Sequence, residues 1–300
     1  MTGADFADVE PFGRRLAAAV AERGPLCVGI DPHCALLIEW GVGDDLDGLR
    51  RFTDTVVDAL AGTVSMLKPQ LAFYERFGSR GIAVLEDAVA RARAAGALVL
   101  LDAKRGDIGS TMAAYADYLR SDHPMQVDAM TVSPYLGAES LAPAVKTARA
   151  FGGGLFVLVR TSNPESHTLQ HAVVGEGRSV AQTVVDTVRQ WNTVDWLVGD
   201  PPADAASHRD LASGWGPATG SFGVVVGATL DVMDVDLDGL GGPILAPGFG
   251  AQGGTPEDLQ RLFGTHRAVV PTVSRDVLSA GPDAAALRAA AEWWAGELAP

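Results

Sequence analysis

Within positions 102 to 107, "DAKRGD", the sequence places two acids and two bases directly after the apolar run Ala97–Leu101. Opposite charges this close usually form a solvated surface patch. At the end of a buried strand, however, unpaired charge is costly. If 97–102 is a strand, Asp102 and Lys104 are two apart and point to the same side. Lys68 ends another apolar run, "VSMLK" (64–68). A neighbouring strand lies about 5 Å away, so Lys68 reaches Asp102. Asp107 follows the turn Arg105-Gly106 and can fold back over Lys104. The expected result is an alternating array of Lys68, Asp102, Lys104 and Asp107. Groups so arranged perturb one another's protonation, which serves either catalysis or a structural ion-pair network at a rim. The cluster alone leaves both open.

A second cluster has a different chemistry. "APGFGAQGGTPEDLQRLF" (246–263) reads as a strand end, a glycine-rich turn and a helix start, with Thr255 as N-cap and Pro256 at the first helical position. Residues 248–253 match the dinucleotide fingerprint G-x-G-x-x-G. The match comes too late in the chain, because only one further β-α unit follows it. Its physical content still stands: glycine turns before a helix present backbone N–H groups to a phosphate. In barrels the phosphate site is often built by the loops after strands seven and eight. This loop follows the seventh candidate strand, and Arg275 in "TVSRD" follows the eighth. The alternative is an ordinary tight turn beside a surface arginine.

Short apolar runs position these groups. They are "LCVGID" (26–31), "VSMLK" (64–68), "ALVLLD" (97–102), "DAMTV" (128–132), "LFVLVR" (155–160), "GVVVGA" (223–228), "PILAP" (243–247) and "AVVPTVS" (268–274). They are continuously apolar, as parallel strands covered on both faces should be. Helical patterns fill the gaps, with Gly24, Gly62 and Gly96 where C-terminal caps belong. The alternation predicts an α/β fold: a single (β/α)8 TIM barrel over residues 1–300, preceded by an extra helix at about 6–22. A doubly wound open sheet is the rival. The barrel is favoured because Asp31, Lys68, Asp102, Lys104, Ser162 and Arg275 fall at or just past the C-terminal ends of different strands, where barrel active sites are built. The segment 199–223 is long for a loop and is expected to hold a short helix near 203–212; no role is attached to it.

Composition narrows the partners. With 37 Asp and Glu against 23 Lys and Arg, the formal charge is −14, which argues against nucleic acid or an anionic membrane. Cys27 and Cys34 give neither a disulfide framework nor metal-ligand spacing, and Cys27 reads as a small core residue. His33, His123, His167, His171, His208 and His266 show no paired ligand spacing on a predicted helix; His167 and His171 are four apart, but in a polar loop. No metal site is therefore expected. The N-terminus lacks a signal-peptide pattern, and no stretch approaches the roughly 18 apolar residues of a membrane span. The expectation is a soluble cytoplasmic protein.

With these residues in place, the sequence resembles the orotidine 5′-phosphate decarboxylase family in its longer bacterial form. "LDAKRGDIGST" (101–111) fits the family signature D-x-K-x-x-D-I-x-x-T. "VGIDPH", "LKPQLAFYE", "TVSPYLG", "VRTSNP", "VVVGAT" and "PGFGAQGG" occur in the family's order. The resemblance implies decarboxylation of orotidine 5′-monophosphate to uridine 5′-monophosphate, the last step of de novo pyrimidine nucleotide synthesis, without a cofactor. It implies that Lys104 donates the proton to C6, that Asp102 faces the substrate carboxylate, and that Lys68 bridges the ribose and Asp102. Asp107 would complete the array from the other subunit of a homodimer, with Ile108 and Thr111 crossing beside it. Asp31 would hold ribose hydroxyls and Ser162 the pyrimidine edge. Gln252 and Arg275 would hold the phosphate, with Pro247 and Gly253 in the same substrate-binding loop.

Three rivals remain at this point. A related barrel with D-x-K-x-x-D uses Mg2+ on a sugar phosphate, but Lys68 would repel a divalent ion. A Schiff-base aldolase needs a neutral Lys104, whereas flanking carboxylates favour the charged form. A nucleotide sensor would keep the phosphate loop without needing alternating charges.

Overall fold

Eight short segments pair in parallel into a closed barrel, in chain order. They are β1 Cys27–Ile30, β2 Met66–Pro69, β3 Leu98–Arg105, β4 Ala129–Val132, β5 Gly154–Arg160, β6 Phe222–Val226, β7 Ile244–Pro247 and β8 Val269–Val273. β1 bonds both β2 and β8, which excludes the open doubly wound sheet. The computed structural model describes residues 9–198, 215–216, 219–264 and 268–299.

Alternation along the strands sorts side chains into two cores. Val28, Leu67, Val99 and Leu101 pack outward in one cluster with the surrounding helices. Cys27, Met66, Leu98, Leu100, Ala129, Phe156, Val225, Leu245 and Val270 fill the barrel in another. Burial pushes the Cys27 thiol up to about 12, as suits an inert core residue. Two or four residues further along the same inward faces, apolar gives way to polar: Asp31, Lys68, Asp102, Thr131, Arg160 and Thr272. The barrel therefore has an apolar floor and a polar mouth.

The Phe12–Arg23 helix closes the floor. Phe12 and Leu16 join the interior cluster, and the Phe12 ring meets Phe156 edge-on at 5.9 Å. A Cβ at Gly154 would sit 2.3 Å from the Phe12 ring, so glycine there is what lets the helix seat. Arg15 and Arg93 both pair with the buried Asp128, whose Oδ2 also accepts the Val99 N–H at 2.9 Å. The helix starts at Phe12 rather than near residue 6. Pro11 is its N-cap, and a following proline disfavours helical backbone at Glu10; residues 6–8 of the expected span lie outside the described residues.

Helices at Leu46–Leu60, Gly78–Ala94, Ala142–Phe151, Val180–Val198 and Ala284–Glu297 fill the expected intervals. Gly24 and Gly96 take left-handed backbone after their helices, with φ of 78° and 95°. Gly62 does not; Ala61 caps Leu46–Leu60 instead. The β6–β7 connection also departs from the expected pattern, since residues 227–243 form turns and no helix. In "DVDLD" (234–238) Val235 and Leu237 are buried between acids, and Leu240 follows. Strict alternation gives this irregular chain an apolar side to lay on the barrel, and a helix would have needed a period of 3.6. The helix expected near 203–212 lies outside the described residues. No helix among the described residues is long and apolar enough to cross a membrane.

Candidate active site

The C-terminal mouth holds a cavity of about 400 Å³. Asp31, Lys68, Asp102, Lys104, Ser162 and Arg275 all line it, as do Pro247 and Gln252. Three expected strand-end charges meet directly. Lys68 Nζ donates to Asp102 Oδ2 at 3.0 Å, and Lys104 Nζ donates to Asp102 Oδ1 at 2.6 Å. Lys68 and Asp102 are 5% and 7% exposed. Burial by itself pulls Lys68 down, but Asp102 and then Asp31 outweigh it and hold the ammonium above the ordinary lysine range. Burial likewise pushes Asp102 up, and Lys68 and Lys104 overcome this to hold the carboxyl below the usual range. Lys68 and Asp102 are therefore both charged at neutral pH.

Lys104 is not on a regular strand. β3 runs to Arg105, beyond its expected end, and its register with β4 slips between Leu101 and Arg105. Among the described residues Lys104 is the one non-glycine with left-handed backbone, φ 48°. Its N–H donates to Thr131 Oγ1 at 2.9 Å, and that hydroxyl donates to Asp102 Oδ1 at 2.8 Å. Gln70 completes the surround: its Nε2 donates to the Asp102 carbonyl at 3.3 Å, and its Oε1 lies 3.5 Å from Lys104 Nζ.

Asp107 does not fold back over Lys104. Its carboxylate accepts the Ile108 N–H at 2.8 Å, and it makes no ion pair with Lys104 in its own chain. Gly106 packs against the Ser133 carbonyl, which a Cβ would approach to 2.4 Å, so the chain turns away from the mouth there. Asp107, Ile108 and Thr111 do not line this chain's cavity, and Ile108 is 63% exposed.

The glycine loop also differs from expectation. Gly248, Gly250 and Gly253 have φ of 118°, 73° and 98°, and the loop closes on itself. Gly254 N–H donates to Gly248 O at 2.9 Å, Gly253 N–H to Gly250 O at 2.6 Å, and Ala251 N–H to Asp276. Thr255 and Asp258 form a capping box on the Pro256–Phe263 helix, so the Thr255 and Asp258 N–H groups already have partners. The side chains of Gln252 and Arg275, rather than the helix start, face the cavity; Gly253 does not line it. Among the described residues Arg275 has no ion-pair partner.

Gln70, Thr131 and Arg160 line the cavity without having been singled out from sequence. Thr131 and Arg160 sit on the inward faces of β4 and β5 and Gln70 one residue past β2, each in step with an apolar interior residue, and that period was the available signal. Arg160 is held by Asp234 at 2.7 Å and Gln170 at 3.0 Å. His167 and His171 belong to a short helical turn over Ser166–Gln170 and its C-cap rather than to a loop, with ring centroids 4.0 Å apart. His171 Nε2 lies 3.0 Å from Asp234 Oδ2 without hydrogen-bond geometry. Among the described residues no group of three or more His, Cys, Asp or Glu could hold a metal ion; His208 and His266 lie outside them.

The chain is similar to known proteins over nearly its whole length. The profile of the family described as "Orotidine 5'-phosphate decarboxylase / HUMPS family" matches residues 24–290. A Streptomyces coelicolor protein named orotidine 5′-phosphate decarboxylase is 58% identical over 293 residues, covering 97% of this chain and 98% of its own. One of the same name from Salinispora arenicola is 55% identical, covering 95% of both chains. A crystal structure from Streptomyces avermitilis superposes with a TM-score of 0.87 at 55% identity, over 99% of this chain and 98% of that one. The OMP decarboxylase of Leishmania donovani superposes with a TM-score of 0.68 at 26% identity, over 96% and 97%. The chain is an enzyme of the orotidine 5′-phosphate decarboxylase / HUMPS family.

Proposed function

We propose that this enzyme decarboxylates orotidine 5′-monophosphate to uridine 5′-monophosphate, a step of pyrimidine biosynthesis, through a C6 carbanion that Lys104 stabilises and protonates without a cofactor. One observation carries the reading. An ammonium is held at 2.6 Å by a carboxylate that a second, buried ammonium also holds, inside a cavity edged by Gln252 and Arg275. When the bond from C6 to the carboxylate carbon breaks, its electron pair stays on C6 in the ring plane, where the π system cannot delocalise it. Lys104 Nζ supplies a fixed positive charge to that lone pair and then its proton. Asp102 keeps Lys104 oriented and crowds the substrate carboxylate. Lys68 spans Asp102 and the ribose. Asp31, whose Oδ1 is buried without a partner, accepts from ribose hydroxyls. Ser162 meets the pyrimidine edge, and Gln252 and Arg275 grip the phosphate beside Pro247 and Gly253.

Asp107 acts, in this reading, in the site of a second copy, with Ile108 and Thr111 crossing beside it. The support is that Asp107 leaves its own mouth next to exposed apolar side chains. Ile108, Tyr135 and Leu136 are 63%, 73% and 52% exposed, and the two segments meet through Ser133 N–H to Arg105 O at 2.8 Å. A two-fold dimer would cover that face and exchange the two Asp107 side chains reciprocally. Cytoplasmic location belongs to the same proposal, by the biosynthetic role.

The Mg2+-dependent sugar-phosphate reading would need oxygen ligands where both Asp102 oxygens already carry ammonium groups. The deciding experiment follows CO2 release from orotidine 5′-monophosphate, with and without chelator. Parent enzyme should be active in both. Lys104→Ala should lose turnover while uridine 5′-monophosphate still binds in a calorimeter. Near-parental turnover by Lys104→Ala would sink the mechanism, and activity lost to chelator and restored by Mg2+ would favour the sugar-phosphate chemistry.

A further inference from the structure

We infer that Thr131 is a positioning residue, whose hydroxyl holds the strained backbone of Lys104 and so aims its ammonium; the inference rests on the role proposed for Lys104. Left-handed backbone is unfavourable for a residue with a Cβ and persists only where the surroundings over-determine it. At Lys104, with φ 48°, the surroundings are specific. Thr131 is on the inward face of β4 and 1% exposed. Its Oγ1 accepts the Lys104 N–H at 2.9 Å and donates its own proton to Asp102 Oδ1 at 2.8 Å. A hydroxyl has one proton to give and lone pairs to receive, so the two bonds form together. Asp102 Oδ1 is also the atom that Lys104 Nζ reaches at 2.6 Å.

The result is a closed ring of contacts: Lys104 N–H, Thr131 hydroxyl, Asp102 Oδ1, Lys104 Nζ. One hydroxyl thus fixes both ends of the lysine, its backbone directly and its ammonium through the carboxylate. Without it the Lys104 N–H has no partner on β4, the bulge is free to relax towards extended backbone, and Nζ swings with it. The cost should fall on turnover rather than affinity, because the proposed phosphate grip lies on the loops after β7 and β8. Valine has the shape of threonine without the hydroxyl, and serine has the hydroxyl without the methyl. The pair separates hydrogen bonding from packing.

The experiment measures steady-state kinetics of parent, Thr131→Val and Thr131→Ser, with amide exchange at Lys104 followed by NMR. For Thr131→Val, kcat should fall roughly tenfold to a hundredfold, the effect of losing one hydrogen bond to a charged group, with KM little changed. Thr131→Ser should recover most of kcat. The Lys104 amide should exchange slowly in the parent and at least about tenfold faster in Thr131→Val. Parental kcat in Thr131→Val, or equal losses in the two variants, would overturn the inference. Rapid Lys104 exchange in the folded parent would overturn it too, with no variant needed. Absence of CO2 release from the parent would refute the proposed decarboxylation instead, and the exchange data would still decide whether the hydroxyl holds Lys104.

Discussion

Lys68→Met is the sharpest physical test of the charge array. It removes the ammonium on Asp102 Oδ2 and leaves a carboxylate that is 7% exposed with a single charged partner, Lys104. Deleting one member of a buried ion pair costs about 3–5 kcal/mol because the other charge stays desolvated. Lys104 and Thr131 still serve Oδ1, so the expected loss is at the lower end, about 3 kcal/mol at pH 7. Against a total stability of about 5–15 kcal/mol the variant should stay folded. Its pH dependence follows from the two shifts. In the parent, Asp102 titrates below its unfolded value, so its contribution is present above about pH 4 and fades as the pH falls further. Lys68 titrates above its unfolded value, so its contribution is present below about pH 10 and fades as the pH rises further. Without Lys68, burial gains weight at Asp102 and its carboxyl rises. The deficit should therefore shrink as the pH falls from 7 towards 4. Removing both charges in Lys68→Met/Asp102→Asn should recover about 2 kcal/mol. Urea unfolding at pH 5 and pH 7 measures all of this. A cost below about 1 kcal/mol at pH 7, a larger deficit at pH 5, or a double variant no better than the single would refute the electrostatic reasoning.

Two further outcomes are expected. Mixing inactive Lys104→Ala with inactive Asp107→Ala under verified subunit exchange should restore up to about half of the heterodimer's sites, since one site carries both lesions and the other neither; no recovery would place Asp107 in its own chain's chemistry. Gly250→Ala puts a Cβ 2.2 Å from Asp276 Oδ2 and 3.0 Å from the Trp294 ring, at φ 73°. The loop bearing Gln252 should shift and KM for the nucleotide should rise about tenfold, whereas an unchanged KM would mean that the loop does not grip the phosphate.

Much of this architecture is legible from local spacing. Buried parallel strands read as continuous apolar runs, and each of the eight fell within a residue or two of its expected place except β3, which runs on to Arg105. Period two also showed that Asp102 and Lys104 share a face and that polar groups gather at one end of the strands. Thr255 and Pro256 marked their helix start through side-chain and backbone chemistry confined to one turn.

What local spacing cannot supply is distance between residues far apart in the chain. Lys68 and Thr131 meet Asp102 across separations of 34 and 29 residues, and their contact depends on how β2 and β4 register against β3. That register, with its slip at Leu101 to Arg105, is imposed by closing all eight strands into one ring. The left-handed Lys104, and the Thr131 hydroxyl between the Lys104 N–H and the Asp102 carboxylate, both lie at the slip. The sequence by itself determined which side chains face the mouth, because facing is a property of one strand. Only the tertiary structure decided which of them touch, because touching is a property of the closed barrel.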